Sequence, residues 1–382
     1  RRVKRILPVL SIVILFTIIW GYFIFIPEKF VFTIKSATSS WFFFSNIFFW
    51  KQLSTYHAEE STNIPLLHTW SLSVEEQFYI LFPIFIFIVF KYYRNKILIS
   101  IISIIFLSLF LSTYASFNHP SANFYVLPSR VWEILFGSLI AYLEIFKNEK
   151  FSSSRFKNFL TFFCLILIFL FANLANENTF HPSLITLAPV LSSFIIICYC
   201  KEKNFITSKI LTSKYLVYLG LISYSLYLWH YPIFVLIKNL NLHIENNYFA
   251  NALIFSSIFL ISSLSYHLVE KPCRKKTLNF KHVLSPVLIL TVAIILFNFK
   301  NFSYLNSSSK YKVELRNTFG QLSKKINCSE VFSEYGFCYL SKEKSKNQID
   351  VVMLGDSVLN RIVNDLNDNL PANKYRVVNL SR

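Results

Sequence analysis

Apolar runs long enough to cross a bilayer recur along the first 300 residues, and they leave this chain few ways to fold. About 30 Å of hydrocarbon takes about 20 residues of helix, and every backbone amide at that depth has to find a partner within the protein. The runs lie at 6–26, 74–91, 97–117, 127–146, 158–173, 182–200, 215–238, 249–269 and 282–299. Hydrophobic residues make up 54% of the chain and charged ones 15%, where a soluble domain would carry about a quarter charged residues. The pattern predicts an all-α polytopic membrane protein with about nine transmembrane helices. The aromatic run Trp41–Trp50 is too short to span, and is expected to lie in the interface, where Trp is favoured, or to re-enter.

A formal charge of +18 raises the question of nucleic acid, but the basic residues sit in alternate connections between the apolar runs. One set carries Arg1, Arg2, Lys4 and Arg5, then Lys91, Arg94 and Lys96, then Lys147, Lys150, Arg155 and Lys157, then Lys201, Lys203, Lys209 and Lys214, then Lys271, Arg274, Lys275, Lys276 and Lys281. The other set has Lys29, Lys35 and Lys51 and almost nothing afterwards. Such alternation is the signature of membrane topology. By the positive-inside rule the amino terminus is cytoplasmic, and nine crossings deliver the tail beyond about residue 300 outside. The partners expected are a lipid bilayer and an extracytoplasmic substrate, with no nucleic acid.

The cysteines show no metal spacing, and no metal is expected. Cys164, Cys198 and Cys200 fall in or beside apolar runs, where small hydrophobes are ordinary. Cys328 and Cys338 lie ten residues apart in the externally placed tail, where a disulfide can persist, and are a candidate bridge. The chain opens on Arg-Arg-Val-Lys-Arg with no initiator Met and is expected to be a fragment. Residues 301–345 form a polar linker and entry region. In the segment from 346 to 382, Ile349 to Leu354 predicts a buried strand, followed by the turn Gly355-Asp356-Ser357 and a short helical pattern.

His68 to Tyr79 sets an imidazole and two carboxylates, Glu75 and Glu76, at the mouth of an apolar helix. Ionisable groups at membrane depth are costly and by default mark a functional site or an internal partner. Ser73 and Glu76 fit a capping box for a helix over 74–91, which leaves His68, Glu75 and Gln77 unexplained. His68 can act as a base near neutral pH, with a carboxylate to orient it. Arg130 and Glu133 share a helix face, either as an internal ion pair or in substrate contact. On the predicted topology His68, Glu75, Glu76, Arg130, Glu133 and His230 all fall toward the outer half of the membrane, as a shared polar cavity would place them. Arg2 and Arg5 lie three apart at the cytoplasmic foot of the first span. They are either topology anchors or a clamp for phosphate, since guanidinium forks match phosphate oxygens. Ser357 occupies the strand-to-helix turn that nucleophilic hydrolases use, but no histidine follows it to complete a triad.

Taken in order, the segments Arg1 to Pro8, His68 to Tyr79, Arg130 to Gly137, Gly220 to Pro232, Glu270-Lys-Pro-Cys-Arg274 and Val351 to Ser357 resemble acyltransferase family 3. The resemblance is to membrane O-acyltransferases, such as O-antigen and cell-wall acetylases, that carry a fused SGNH-hydrolase-like domain. It implies an extracytoplasmic α/β domain beginning near residue 346, and a membrane domain over 1–300 lacking its first two helices, which would make eleven in all. It implies that an acyl group, commonly acetyl, passes from cytoplasmic acyl-CoA to a hydroxyl of a cell-surface glycan: lipopolysaccharide O-antigen, peptidoglycan or exopolysaccharide. Arg2 and Arg5 then match the pair serving the donor. His68, Glu75, Glu76 and Ser357 are the catalytic candidates, and Arg130, Glu133 and His230 the substrate-binding ones. The implied location is the bacterial inner membrane, with the amino terminus cytoplasmic and the tail periplasmic or extracellular. Val358 stands where fused members more often have His, and the tail holds no Asp-x-x-His. The rival function is a transporter or flippase for an envelope precursor, since polar groups within a bundle also mark transport paths.

Overall fold

The computed structural model of the chain describes residues 2–25, 27–53, 63–146, 155–175, 181–200, 206–240 and 248–274, and the strand segments 326–327, 337–340, 349–355 and 375–381. The chain divides into two compact units, Arg1–Asn298 and Phe299–Arg382. The first is helical throughout its described residues: α1 (Arg2–Ile24), α2 (Pro27–Trp41), α3 (Ser45–Leu53), α4 (Thr69–Tyr93), α5 (Ile97–Asn118), α6 (Pro120–Tyr125), α7 (Val131–Phe146), α8 (Arg155–Leu174), α9 (Leu187–Tyr199), α10 (Ile206–Leu211), α11 (Lys214–Asn239) and α12 (Tyr248–Ser265). A π-helical turn, Tyr266–Glu270, continues α12 into a last turn at Lys271–Cys273.

Among the described residues five helical stretches are long and apolar enough to cross a membrane: α1, the α4–α5 pair taken as one stretch, α8, α11, and α12 with its extension. The protein is therefore a polytopic membrane protein. Helices α7 and α9 coincide with apolar runs of the sequence but are shorter, at 16 and 13 residues. The run at 282–299 lies outside the described residues. Large apolar side chains are exposed along the long helices, among them Phe106, Phe110, Phe159, Phe169 and Phe255. That is the surface expected where lipid rather than water is the solvent.

The main core is built where α1 packs against α2, α11 and α12. Val9, Leu10, Val13, Ile14, Ile34, Leu228 and Ile233 are its buried members, and Trp229 meets Phe16 edge-on at 5.1 Å. A second core joins α4, α5 and α7 around Trp132 and Leu135. The segment before α4 departs from the long outer loop that charge spacing suggests. At ~1.5 Å per residue, α1 rises about 35 Å and the 15 residues of α2 only about 22 Å, so the chain turns back before regaining the level at which it started. The end of α2, with α3, meets the start of α4 through buried hydroxyls. Ser40 and Thr69 lie 2.7 Å apart, as do Ser45 and Ser73, and Gln77 Nε2 donates to the Phe43 carbonyl at 2.9 Å. Within the aromatic run Trp41 and Phe49 are buried while Phe42 and Phe44 are exposed, so it packs inward on one side only.

In the second unit the described strands are β1 (Ile326–Asn327), β2 (Phe337–Leu340), β3 (Ile349–Gly355) and β4 (Tyr375–Ser381), in the order β1-β2-β4-β3. β3 and β4 are parallel, in register from Ile349 with Tyr375 to Gly355 with Ser381, and the other pairings are antiparallel. The strand expected from Ile349 to Leu354 is thus β3. Ser357, Cys328 and the side chain of Cys338 lie outside what the structure describes, and with them the serine turn and the candidate disulfide.

Candidate functional site

The first turn of α1 projects Arg2 and Arg5 to one side, as a spacing of three requires. Arg2 Nη1 lies 3.1 Å from Glu76 Oε1, and its guanidinium covers the ring of Tyr79 one turn further along α4. Arg5 Nε lies 3.4 Å from Glu270 Oε1. The same carboxylate accepts from Ser225 Oγ at 3.0 Å and meets Arg274 Nη1 at 3.5 Å. Both arginine side chains stay about half exposed, at 48% and 45%, while Glu76 and Glu270 are 12% and 0% exposed. The carboxylates are hidden and the cations face outward, an arrangement suited to taking up an anion. Glu75 lies on the accessible side of α4, within the field of Arg2 and Arg5.

Tyrosines of α11 fasten this cluster to the start of α4. Tyr224 donates its hydroxyl proton to the Ile6 carbonyl at 2.8 Å. One turn on, Tyr227 donates to the His68 carbonyl and accepts from Ser71 Oγ. His68 is buried at the N-cap position of α4. Its ring stacks on Tyr231 at 5.4 Å and stands edge-on to Tyr227 at 5.1 Å and to His230 at 5.4 Å. Neither of its ring nitrogens has a hydrogen-bond partner. His230 Nδ1 lies 2.6 Å from the Tyr227 carbonyl and 3.2 Å from that of Leu226. A carbonyl only accepts, so Nδ1 carries the proton, and in the neutral ring Nε2 holds the lone pair.

Arg130 and Glu133 form the ion pair their spacing predicts, Nη1 to Oε2 at 3.3 Å. Arg130 also donates from Nε to the Phe124 carbonyl at 2.7 Å and lies over the rings of Trp70 and Phe124. Trp70 therefore links this pair to the start of α4, but Arg130 does not join the imidazoles. Glu133 also lines a mainly apolar cavity of about 340 Å³ between α7 and α9, with Phe136, Gly137, Val190 and Phe194. Among the described residues no group of three or more His, Cys, Asp or Glu is placed to hold a metal ion.

Three expectations are corrected by this geometry. Charge spacing put Arg2 and Glu76 on opposite faces of the membrane, yet they form an ion pair, because the short α2 lets α4 begin beside the buried end of the α1–α2 hairpin. The single outer cavity expected for six residues divides accordingly. Glu75 and Glu76 belong with the arginines, His68 pairs with His230 next to them, and Arg130 and Glu133 lie beyond Trp70. The capping box also fails: α4 begins at Thr69, Ser73 bonds Ser45 and Glu76 bonds Arg2. Sequence reasoning left Tyr224, Ser225 and Tyr227 without roles. Their signal is a polar stripe, Tyr224-Tyr227-Tyr231 at helical spacing, inside an otherwise apolar run.

Fold and site together define a polytopic membrane protein whose bundle holds half-exposed guanidinium groups against buried carboxylates, with two imidazoles beside them. The chain belongs to the acyltransferase family whose model, described as an acyltransferase domain, matches residues 1–267. Among its relatives, the peptidoglycan O-acetyltransferase of Listeria monocytogenes is 28% identical over 289 residues, covering 72% of this chain and 46% of that protein. A Bacillus subtilis protein named "Putative peptidoglycan O-acetyltransferase" is 29% identical over 290 residues, covering 72% of this chain and 45% of its own. The chain spans about half the length of these curated relatives. No solved structure matches it.

Proposed function

We propose that the protein transfers an acetyl group from cytoplasmic acetyl-CoA to a hydroxyl of a cell-wall glycan of the peptidoglycan kind, on the far side of the bacterial cytoplasmic membrane. The observation that carries this is the adjacency of anion-ready arginines to an imidazole pair within one helical cluster. Arg2 and Arg5 bind the donor's phosphates. His230 Nε2 accepts the proton of the attacking hydroxyl, and the neighbouring His68, Glu75 and Glu76 stabilise or pass on that charge. The acceptor class is supported by the names of the relatives, peptidoglycan O-acetyltransferases. Arg130 and Glu133, beside an apolar cavity, contact the acceptor or its carrier.

The finer architecture belongs to the same proposal: nine crossings in this chain, and an appended SGNH-like domain in which Ser357 receives or hands on the acyl group. A parallel pair such as β3 and β4 needs a crossover between its strands. In the sequence Asp356 and Ser357 follow β3 directly. The experiment is expression of the full-length parent in a host lacking the enzyme, followed by assay of base-labile acetate on isolated cell wall. Esterified glycan is expected, and Glu76→Gln in the same parent is expected to reduce it at least tenfold. Uptake of labelled precursor with no ester formed would favour transport instead.

A further inference from the structure

We infer that Arg274 is a third phosphate-binding guanidinium of the donor site, and that Glu270 is the positioning residue that holds it beside Arg5. The inference rests on the acyl-CoA reading of Arg2 and Arg5 and gives roles to two residues of the Glu270-Lys-Pro-Cys-Arg274 segment.

Glu270 is fully buried, and one of its oxygens, Oε1, meets Arg5 Nε at 3.4 Å and Arg274 Nη1 at 3.5 Å, while Oε2 is held by Ser225. The two cationic nitrogens therefore lie within about 7 Å of each other. One carboxylate offsets only one of two guanidinium charges, so the pair keeps a net positive charge. A guanidinium carries five N–H donors in a fixed fork. Arg5 meets Glu270 through Nε, leaving its terminal fork to turn outward, and Arg274 uses a single terminal nitrogen. Their side chains are 45% and 43% exposed. A topology anchor gives no reason for this construction, because a snorkelling arginine reaches water without burying a carboxylate beneath it. The backbone gives independent support. The π-helical turn at Tyr266–Glu270 interrupts α12 just where Glu270 faces inward to Arg5 and Ser225, and such turns are frequent at functional sites. Arg274 follows one turn later, at the spacing that returns it to the same face. With Arg2 the cluster offers three guanidinium groups, matched to a nucleotide donor carrying several phosphates.

The test is equilibrium binding of radiolabelled CoA to the purified full chain in detergent micelles. Wild-type chain is expected to bind, and Arg274→Ala to raise Kd about tenfold without shifting the thermal midpoint of the ligand-free protein. Arg274→Lys, which keeps the charge but not the fork, is expected to fall between them. Arg94→Ala, which removes a charge from the end of α4, is expected to bind as wild type does. In a Glu270→Gln background Arg274→Ala is expected to cost no more than about threefold, because Arg274 is then no longer held. Unchanged Kd in Arg274→Ala, an equal loss in Arg94→Ala, or an undiminished tenfold effect in the Glu270→Gln background would overturn the inference. If the wild-type chain does not bind CoA, both the inference and the acyl-CoA reading fall. If it binds CoA while the full-length parent esterifies no glycan, only the transferase reading falls.

Discussion

At the scale of single residues, the orientation of His230 is the most consequential detail. Its Nδ1 proton is committed to backbone carbonyls one turn earlier in α11, so the tautomer is fixed by the helix that carries the ring. In the proposed mechanism a base prepared in this way needs no rearrangement before it takes a proton. General acid–base catalysis contributes about 10²–10⁴-fold. His230→Ala is therefore expected to lower acetyl transfer by at least about 100-fold while CoA binding by the same protein stays as in wild type, measured by ester release and by equilibrium binding. The residue types at this site were legible in the sequence because ionisable groups in apolar runs are conspicuous. Their partners were not. Arg2 and Glu76 are 74 positions apart, and nothing in periodicity or charge alternation reports a pairing that depends on how far α2 travels before the chain turns.

Among the helices, the apolar runs at 97–117 and 215–238 gave α5 and α11 nearly to the residue, since a run of that length leaves no competing structure. Helix α2 escaped the same logic. Its Thr33, Ser36, Thr38, Ser39 and Ser40 make it look like a polar loop, yet each hydroxyl donates to a carbonyl three or four residues back. Hydroxyls satisfied within their own helix can be buried without a partner elsewhere. The start of α4 was misplaced for a related reason: Ser73 looked like a cap but is an interior residue bonded to Ser45. Ser73→Ala removes that cross-helix bond and is expected to cost about 1 kcal/mol, seen as a lower thermal midpoint of the detergent-solubilised protein. Gly21 gives a contrasting case. A Cβ there would meet Phe25 at 3.2 Å, whereas at Gly137 it would meet nothing within 4 Å. The ring must shift in the first case only.

For the whole molecule, the alternation of basic connections predicts one topology, with the amino terminus cytoplasmic. Its expected outcome is concrete. In intact cells a membrane-impermeant thiol reagent should label a cysteine placed at His119, between α5 and α6, and should spare one placed at Lys96, between α4 and α5. Labelling in the reverse sense would invert the assignment of every connection. The two-unit division of the chain has a simpler basis, because the apolar runs cease near residue 300 and strand-forming segments replace them.

The tyrosines that fasten α11 to the rest of the cluster lie one turn apart, Tyr224 at Ile6 and Tyr227 at His68, a rise of about 5 Å. Guanidinium and imidazole levels are therefore close together along α11. Beside them the packing is greasy and tightly interlocked: Trp229 meets Phe16, with Leu228, Ile233 and Val235 buried around them. That packing makes this region an electrical insulator. An ionisable group pressed against such a wall keeps its charge only where a partner is built in beside it, as Glu76 is beside Arg2 and Glu270 beside Arg5.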